Sequence, residues 1–238
     1  MIPKTIHYCW FGHGPLPELS IRCIESWHKH MPDWEYRLWN EDNFDIKAYR
    51  YAKEAYDAGK FAFVSDVARL VALNKEGGVY LDVDFMVYKP FDDLLRYHAF
   101  AGFEGSKTNP VMMGVIASEP SGMWIKEQLE QYRDRSFIVN GKEDLTTNVR
   151  IVTDKMIANG FIPDGREQDY KDLHVFPVEF FCPRQTSGEY FLTGDTYCEQ
   201  LGNSSWSNSA YTWKTKLLSV FSPNARTAII KLKRKLFG

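Results

Sequence analysis

Two aspartates one residue apart, Asp82 and Asp84, have the spacing to bind one metal ion together. In a β-strand, residues i and i+2 face the same way with Cα atoms about 6.6 Å apart, so their carboxylates can converge on a hard cation such as Mg²⁺ or Mn²⁺. A cation held there can neutralise a diphosphate group as it leaves. The chain has 16 aspartates, so an isolated Asp-x-Asp is expected by chance and the spacing alone is weak evidence.

The position of this pair gives it more weight than its spacing. The two acids follow a glycine pair and a short apolar strand, GGVYL at residues 77–81. Ligands of open α/β sheets bind outside the carboxyl ends of the strands. Burying two unpaired carboxylates in the core would be costly. We therefore predict a ligand site at the end of this strand, with a solvated strand end as the alternative.

A second candidate pair, Asp66 and Arg69, has the i, i+3 spacing of one helix face. There the aspartate can accept hydrogen bonds from sugar hydroxyls, while the arginine donates to hydroxyl or phosphate oxygens. The alternative is a plain intrahelical ion pair. Trp10 ends the first predicted strand and could stack on a nucleobase, or it could fill the core. We interpret His7 as a strand histidine with a hydrogen-bond partner.

The elements around these residues indicate an α/β fold. A strand at 4–10, a helix at 18–30 and a strand at 34–39 predict a parallel, right-handed βαβ start. Further helices are predicted at 46–57, 61–76, 123–133 and 147–158, and further strands at 79–82, 85–88, 99–103 and 112–118. Residues 163–202 are rich in Gly, Pro, Asp and Thr and are expected to be irregular.

Four segments of the chain resemble glycosyltransferase family 32: IPKTIHYCWFG, CIESWHKHMPDWEYRLWNEDNFD, YAKEAYDAGKFAFVSDVARLVALNKEGGVYLDVD and the later SSW. That family includes bacterial capsule and lipopolysaccharide sugar transferases and Och-type fungal mannosyltransferases. The resemblance is dense over residues 2–104 and thin from there to Trp206. It implies a GT-A fold, the Rossmann-like fold of nucleotide-diphospho-sugar transferases with a mixed central sheet, and a retaining reaction that uses a divalent cation.

The resemblance also implies which residues line the donor site: Trp10, Asp66, Arg69, Tyr80, Asp82, Asp84, Ser205 and Trp206. Asp84 matches the metal-binding acid, and Asp82 matches the acid that reaches the ribose and, through water, the metal. Asp66 and Arg69 match the pair that holds the donor sugar. Trp10 matches the ring that stacks on the base.

The chain departs from the family before Ser-Trp, where relatives usually have a histidine pair. An ungapped match places Gln200 and Leu201 there, directly after Glu199. We predict Glu199 as the third metal ligand if the loop shifts. Asn203 or Ser204 is the alternative, because oxygen is an acceptable ligand for Mg²⁺ or Mn²⁺.

Charge is unevenly distributed along the chain, although the formal net charge is only −2. Residues 206–238 contain seven Lys and Arg and no Asp or Glu. We predict a GT-A domain at 1–206 and a basic amphipathic helical tail at 207–238. Residues 213–237 are expected to dock on an anionic membrane surface, or to pack on the acidic body. That acidic body disfavours nucleic-acid binding.

The start of the chain lacks a basic n-region and no apolar run has the length of a membrane span, which predicts a cytoplasmic protein, peripheral on the inner face of the cell membrane. The four cysteines show no metal-binding spacing and are expected to be reduced thiols: Cys9, Cys23, Cys182 and Cys198.

Together these features predict a metal-dependent, retaining transferase of surface polysaccharide synthesis. It would move a hexose from a nucleotide sugar, a UDP-hexose rather than GDP-mannose, to a hydroxyl of a glycan or lipid-linked saccharide, with Mn²⁺ or Mg²⁺ as cofactor. Two other classes remain open: a noncatalytic carbohydrate-binding protein, and a metal-dependent phosphohydrolase that uses the same Asp-x-Asp.

Overall fold

The computed structural model of the chain describes residues 1–106, 108–184 and 190–202. The strands of these ranges are β1 Thr5–Cys9, β2 Glu35–Trp39, β3 Gly78–Leu81, β4 Phe85–Val87, β5 Ala99–Phe103, β6 Val111–Ser118, β7 Ile138–Val139, β8 Lys142–Glu143, β9 Gln168–Tyr170, β10 Leu173–Phe176 and β11 Cys198–Gln200. The α-helices are α1 Glu18–His30, α2 Arg50–Asp57, α3 Phe61–Glu76, α4 Met123–Glu130, α5 Asn148–Ala158 and α6 Val178–Phe181. The predicted tail, 207–238, lies outside the described residues.

Seven strands form a mixed central sheet in the order β2-β1-β3-β6-β5-β10-β9. Strand β1 is parallel to both β2 and β3, and β5 is parallel to β10. Strand β6 runs antiparallel between β3 and β5. Two smaller antiparallel pairs, β4 with β11 and β7 with β8, lie outside this sheet. The predicted βαβ start and the α/β fold class with a mixed central sheet are confirmed.

Both faces of the central sheet are covered. One hydrophobic cluster joins the sheet to α2, α3, α4 and α5, and contains Val64, Tyr80 and Trp124. The other joins it to α1 and β4, and contains Trp27 and Phe85. Because both faces are packed, strands β3, β5 and β6 consist almost entirely of apolar residues, and all eight residues of β6 are buried.

A glycine pair turns the chain from α3 into β3. Gly77 and Gly78 have φ of +65° and +105°, a region that side-chain-bearing residues rarely adopt. A Cβ on Gly78 would also lie 2.6 Å from the carbonyl oxygen of Thr5, on the neighbouring strand β1. The turn therefore places the helix with Asp66 and Arg69 directly against the strand that leads to Asp82.

Residues 163–202 are more ordered than predicted, which corrects the expectation of an irregular segment. They contain β9, β10, β11 and α6, and β10 pairs with β5 in the central sheet. These elements have only three or four residues each, too few to show a periodic pattern. Pairing with distant strands decides their conformation.

In the described parts of the chain, every helix is too short or too polar to cross a membrane. All four cysteines are buried, and none forms a disulfide bond with another described residue.

Candidate functional site

The carboxyl ends of β1 and β3 lie side by side at the edge of the sheet where we predict the site. From β1 the chain passes through α1 to β2 on one side, and β3 pairs with β1 on the other side. Helices α1 and α3 pack on opposite faces of the sheet. Such a reversal of strand order opens a crevice, where open α/β sheets bind ligands.

Arg69 is the centre of a buried polar network in this crevice. Its Nη2 lies 3.1 Å from Oδ1 of Asp66 and 3.4 Å from Oδ1 of Asp82. Its Nη1 donates to the carbonyl oxygen of Met113 at 2.6 Å, and its Nε donates to that of Ser65 at 3.1 Å. The Asp66–Arg69 pair is therefore not a plain intrahelical ion pair, because it is joined to the acid that follows β3.

Tyr80 completes this network from β3. Its hydroxyl donates to Oδ1 of Asp82 at 2.7 Å, and its ring lies under the Arg69 guanidinium, 4.5 Å from ring centroid to Cζ. Asp82 accepts from Tyr80 and faces Arg69 with the same oxygen, while its side chain stays 31% exposed. The structure thus brings together Asp66, Arg69, Tyr80 and Asp82 as predicted, with one face of Asp82 open to a ligand.

The two acids lie in a turn, which corrects the expectation that strand geometry brings their carboxylates together; the strand predicted at 79–82 ends one residue earlier. Strand β3 ends at Leu81, and the amide of Phe85 donates to the carbonyl oxygen of Asp82 at 3.1 Å. Asp82 and Asp84 remain neighbours in this turn. Burial and the charge of Asp82 together raise the pKa of Asp84 to about 7.

Asp84 is held by the segment that follows β11. Its Oδ2 accepts from Nε2 of Gln200 at 3.1 Å, and its carbonyl oxygen accepts from the amide of Leu201 at 2.9 Å. A side chain at Gly202 would collide with Oδ2. Its Oδ1 is buried and has no hydrogen-bond partner among the described residues. A buried, unsatisfied carboxylate oxygen beside a second acid is a fitting environment for a cation.

The structure does not bring Glu199 to these acids. Its carboxylate accepts hydrogen bonds from the hydroxyls of Tyr88 and Tyr190, at 3.0 Å for Tyr190, and lies 3.8 Å from Arg184. Successive side chains of a strand point to opposite faces, so Gln200 reaches Asp84 and Glu199 points away. This placement corrects the assignment of Glu199 as the third metal ligand.

The oxygen donors near Asp84 are few. Within the described ranges, no three His, Cys, Asp or Glu side chains are grouped to hold a metal ion. The residues that could hold a divalent cation are the two acids and the amide oxygen of Gln200, a donor set that suits Mg²⁺ or Mn²⁺. Ser205 and Trp206, predicted to close the site, and Asn203 and Ser204, the alternative ligands, lie outside the described residues.

Trp10 lies at the same sheet edge as the acidic turn. Strands β1 and β3 are in parallel register with His7 opposite Tyr80, so Trp10 leaves β1 beside the residues that follow β3. The indole Nε1 donates to the carbonyl oxygen of Gly14 at 2.6 Å, and the ring is half-buried. This position is compatible with the predicted base-stacking role.

His7 is a structural histidine, as predicted. Its Nδ1 accepts from Nε1 of Trp39 at 3.0 Å, so the proton is on Nε2, which donates to the carbonyl oxygen of Gly77 at 2.7 Å. Burial lowers its pKa, which keeps the ring neutral.

Two residues of the site were missed from sequence. Gly114 in β6 accepts the amide of Asp82 at 2.9 Å, and a Cβ there would lie 2.9 Å from Oδ2 of that acid. A glycine inside an otherwise apolar strand signals such a close approach. Asn148, at the start of α5, hydrogen-bonds to Asp66. No sequence signal marks it, because only the docking of α5 brings the two together.

Burial also sets the protonation of Asp66. Loss of solvent and the Asp82 charge raise its pKa to about 7, although Arg69 and the hydrogen bond from Asn148 act in the opposite direction. Two buried phenols, Tyr51 and Tyr132, have hydroxyls without a partner among the described residues. Burial raises the pKa of both phenols, and the charge of the nearby Asp66 raises it further. Two hydroxyls without a described partner therefore lie near this acid.

Comparison with known proteins gives a family match and several distant relatives. Residues 17–101 match the family model described as a glycosyltransferase sugar-binding region containing a DXD motif. The chain is 39% identical over 163 residues to glucan organizing enzyme 1 of Cryptococcus neoformans, covering 56% of this chain and 44% of that protein. It is 34% identical over 103 residues to inositol phosphoceramide mannosyltransferase 3 of Schizosaccharomyces pombe, covering 42% of this chain and 29% of that protein. The chain thus spans less than half the length of either relative.

The solved structures that the chain matches include the PaToxG glycosyltransferase, with a TM-score of 0.49, 18% identity and coverage of 67% of this chain and 69% of that one. The galactosyltransferase LgtC, solved with donor and acceptor sugar analogs, has a TM-score of 0.46, 14% identity and coverage of 91% and 94%. The family match includes Asp66, Arg69 and the Asp82-Val83-Asp84 motif. The resemblance seen in the sequence is confirmed over residues 17–101, which match the model of a glycosyltransferase sugar-binding region containing a DXD motif.

Proposed function

We propose that the protein is a metal-dependent glycosyltransferase that takes a hexose from a nucleotide sugar. The observation that carries this proposal is the contact of the buried Arg69 with both Asp66 and Asp82, beside the Asp84 oxygen that has no partner in the described ranges. This arrangement offers fixed positive charge, sugar-hydroxyl acceptors and a cation site within one crevice.

The diphosphate of the donor would lie at the acidic turn. Asp82 and Asp84 would hold the cation, Mn²⁺ or Mg²⁺, with the amide oxygen of Gln200 as a further donor. Such a cation neutralises the diphosphate as it departs. The exposed face of Asp82 is also free to accept a hydrogen bond from the ribose.

Arg69 and Asp66 would hold the hexose. The guanidinium is fixed by two acids and two backbone carbonyls, so its charge needs no rearrangement when the diphosphate becomes negative. Asp66 is supported by Asn148 and can accept hydrogen bonds from the sugar hydroxyls.

We propose that the reaction retains the anomeric configuration. Asp66 and Asp82 both face Arg69, so neither is a free nucleophile. The bond between the anomeric carbon and the phosphate oxygen breaks, the acceptor oxygen bonds to the same face, and the acceptor proton passes to the departing diphosphate. The anomer of the first product, read by proton NMR, tests this step, and an inverted product would contradict it.

The donor and acceptor classes are proposed from the family resemblance and from the names of relatives. We propose a UDP-hexose donor and an acceptor hydroxyl on a glycan or a lipid-linked saccharide of surface polysaccharide synthesis. The names of several relatives, such as mannosyl phosphorylinositol ceramide synthase CSH1 of Saccharomyces cerevisiae, describe transfer to a lipid. These names favour a lipid-linked acceptor. They also make GDP-mannose the donor to test beside the UDP-hexoses.

Calorimetric titration with UDP and with GDP, with and without Mn²⁺, tests the nucleotide site. We expect binding that requires the metal and that Asp84→Asn abolishes. The matched control is Asp57→Asn, an exposed acid of α2 that pairs with Lys53. Binding that ignores the metal or the Asp84 change would contradict the proposal.

Hydrolysis of a panel of UDP- and GDP-sugars then separates a transferase from the other two classes. Release of free nucleoside diphosphate from one donor supports a transferase. Nucleotide binding without turnover of any donor, with acceptor glycans present, would indicate a noncatalytic binding protein. Release of inorganic phosphate from simple phosphate esters would indicate a phosphohydrolase.

A further inference from the structure

The loop that carries Trp10 away from β1 has an uncommon backbone conformation. Gly12 has φ of +96°, and His13, which is not a glycine, has φ of +55°. Such conformations persist only where the surrounding structure holds them, and they are frequent at ligand sites. The contacts of this loop therefore show what keeps it in place.

One carboxylate outside the DXD site holds this loop. Oε1 of Glu41 accepts from the amide of Gly12 at 2.6 Å and from the hydroxyl of Tyr56 at 3.1 Å. It also lies 3.8 Å from Nε2 of His13. The Glu41 side chain is only 13% exposed. A single oxygen that follows β2 thus ties the loop after β1 to helix α2.

The surroundings of Glu41 favour its ionised form. Burial opposes ionisation, but the hydrogen bonds from Gly12 and Tyr56 outweigh it and lower the pKa of the carboxyl group. The ionised form makes stronger hydrogen bonds to backbone N–H groups than a neutral side chain does.

Aromatic packing also restricts the position of this loop. The ring of Phe61 packs directly against Gly12, where any side chain would collide with it. The same ring contacts the ring of Tyr56, with centroids 5.4 Å apart. The hydrogen bond from Glu41 and the packing of Phe61 therefore fix Gly12 from two directions.

The indole of Trp10 is tied to the loop in turn. The indole Nε1 donates to the carbonyl oxygen of Gly14. The backbone amide of Trp10 donates to the carbonyl oxygen of Trp39. If Gly12 were released, Gly14 would move and the indole would lose the contact that orients its ring.

We propose that Glu41 is a positioning residue for nucleotide binding: it holds the loop of residues 10–14 so that the Trp10 ring is oriented before the base arrives. This inference rests on the proposed function. Glu41 acts through the loop and does not touch the nucleotide. A loop ordered in advance loses less conformational entropy when the ligand binds, and affinity rises accordingly.

A double-mutant cycle with the full chain tests this inference, with UDP and Mn²⁺ titrated into each variant. Glu41→Ala and Trp10→Ala are each expected to weaken UDP binding about fivefold to tenfold, the cost of ordering a few groups on binding. If Glu41 acts through Trp10, the double variant will bind UDP little more weakly than Trp10→Ala. Independent, multiplying effects would overturn the proposal.

A conservative variant and a matched control separate positioning from stability. Glu41→Gln keeps an oxygen acceptor for Gly12 and should restore most of the affinity. Asp172→Ala removes a carboxylate that likewise accepts two backbone amides, those of Met123 and Trp124, at 2.6 and 2.8 Å. Asp172 precedes β10 and lies at the opposite edge of the sheet. The Asp172→Ala variant should have a lower Tm and an unchanged affinity for UDP.

The outcomes distinguish this inference from the proposed function. If neither Trp10→Ala nor Asp84→Asn weakens UDP binding, the proposed nucleotide site is wrong. If both weaken it and Glu41→Ala does not, only the role of Glu41 fails. If Glu41→Ala does not fold, Tyr56→Phe decides, because it frees Glu41 from α2 and leaves its bond to Gly12. Weaker UDP binding then supports the inference, and unchanged binding contradicts it.

Discussion

The buried guanidinium of Arg69 shows how single residues define this site. A buried cation is tolerated only when acids and carbonyls compensate it, and here Asp66, Asp82 and two backbone oxygens do so. Its planar group donates in several fixed directions at once, which the point charge of a lysine cannot do.

Arg69→Lys should therefore lower the rate of sugar transfer more than it lowers stability. We expect a loss of roughly 10²–10³-fold in kcat, the range for removing one preorganised donor of a transition state. Steady-state rates of nucleotide release measure it. Arg50→Lys, at an exposed pair with Glu54, is the control and should leave kcat unchanged. Equal rates for both variants would show that the guanidinium is not catalytic.

Asp66 should make stability depend on pH. Its pKa is about 7 in the folded protein and 3.8 as the ordinary value, so the folded state binds the proton more tightly. This group therefore lowers the free energy of unfolding as pH rises from about 4 to about 7. Asp66→Asn should remove that decline, so its Tm will change less than that of the wild type between pH 5 and pH 8. A parallel pH profile for both proteins would contradict the assignment.

Gln200 should control the metal affinity of Asp84. Gln200→Ala removes the hydrogen bond to Oδ2 and should weaken Mn²⁺ binding roughly 10–100-fold, the usual cost of losing such a supporting contact. Gln200→His provides the nitrogen that relatives usually have and should strengthen it. Electron paramagnetic resonance of free Mn²⁺ measures both, with Gln131→Ala as the control. Unchanged Mn²⁺ affinity in both Gln200 variants would show that this residue does not affect metal binding.

At the scale of elements, β6 and the turn after α3 matter as much as the acids. Strand β6 runs antiparallel between β3 and β5, and its residues 113 and 114 supply the carbonyls that hold Arg69 and the amide of Asp82. The glycine pair at 77–78 then sets the distance between α3 and β3. Neither element provides a charged group, yet both decide where the charged groups meet.

Gly114→Ala tests the role of β6. The new methyl group would lie 2.6 Å from the ring of Phe85 and 2.9 Å from Oδ2 of Asp82. Overpacking of this kind costs about 1–3 kcal/mol, and Asp82 must move. We expect a lower Tm and a loss of metal-dependent UDP binding. Gly194→Ala, where the new Cβ has no atom of a described residue within 4 Å apart from its chain neighbours, should change neither. Normal UDP affinity in Gly114→Ala would show that Asp82 tolerates the shift.

At the scale of the whole molecule, the chain is proposed to divide into a GT-A domain at 1–206 and a basic tail at 207–238. The sequence supports this division, because residues 207–238 contain seven Lys and Arg and no Asp or Glu. A peripheral position on the cytoplasmic face of a membrane is proposed on the same ground. Each cation near an anionic surface contributes about 1 kcal/mol.

Truncation to residues 1–206 tests both proposals together. The shortened chain should keep metal-dependent UDP binding and should lose sedimentation with phosphatidylserine-containing vesicles. Vesicles of phosphatidylcholine alone, and high salt, serve as controls, since the attraction is electrostatic. Loss of UDP binding on truncation would show that the tail belongs to the catalytic domain, and unchanged sedimentation would place membrane binding elsewhere.

Local sequence was enough to predict the fold class and the βαβ start, because both depend on apolar periodicity and on short breaks between elements. The i, i+3 spacing placed Asp66 and Arg69 on one helix face, while the family resemblance implied that they meet Tyr80 and Asp82. The acids follow β3, and β3 pairs with β1, so they must lie near the carboxyl end of β1.

Tertiary structure alone decided which residues complete the site. Gln200 rather than Glu199 reaches Asp84 because β11 pairs with β4 in one register, and a shift of one residue would exchange their faces. Asn148 and Glu41 reach Asp66 and Gly12 only when α5 and the loop after β2 dock. Contacts between residues far apart in the chain depend on packing, and no local pattern encodes them.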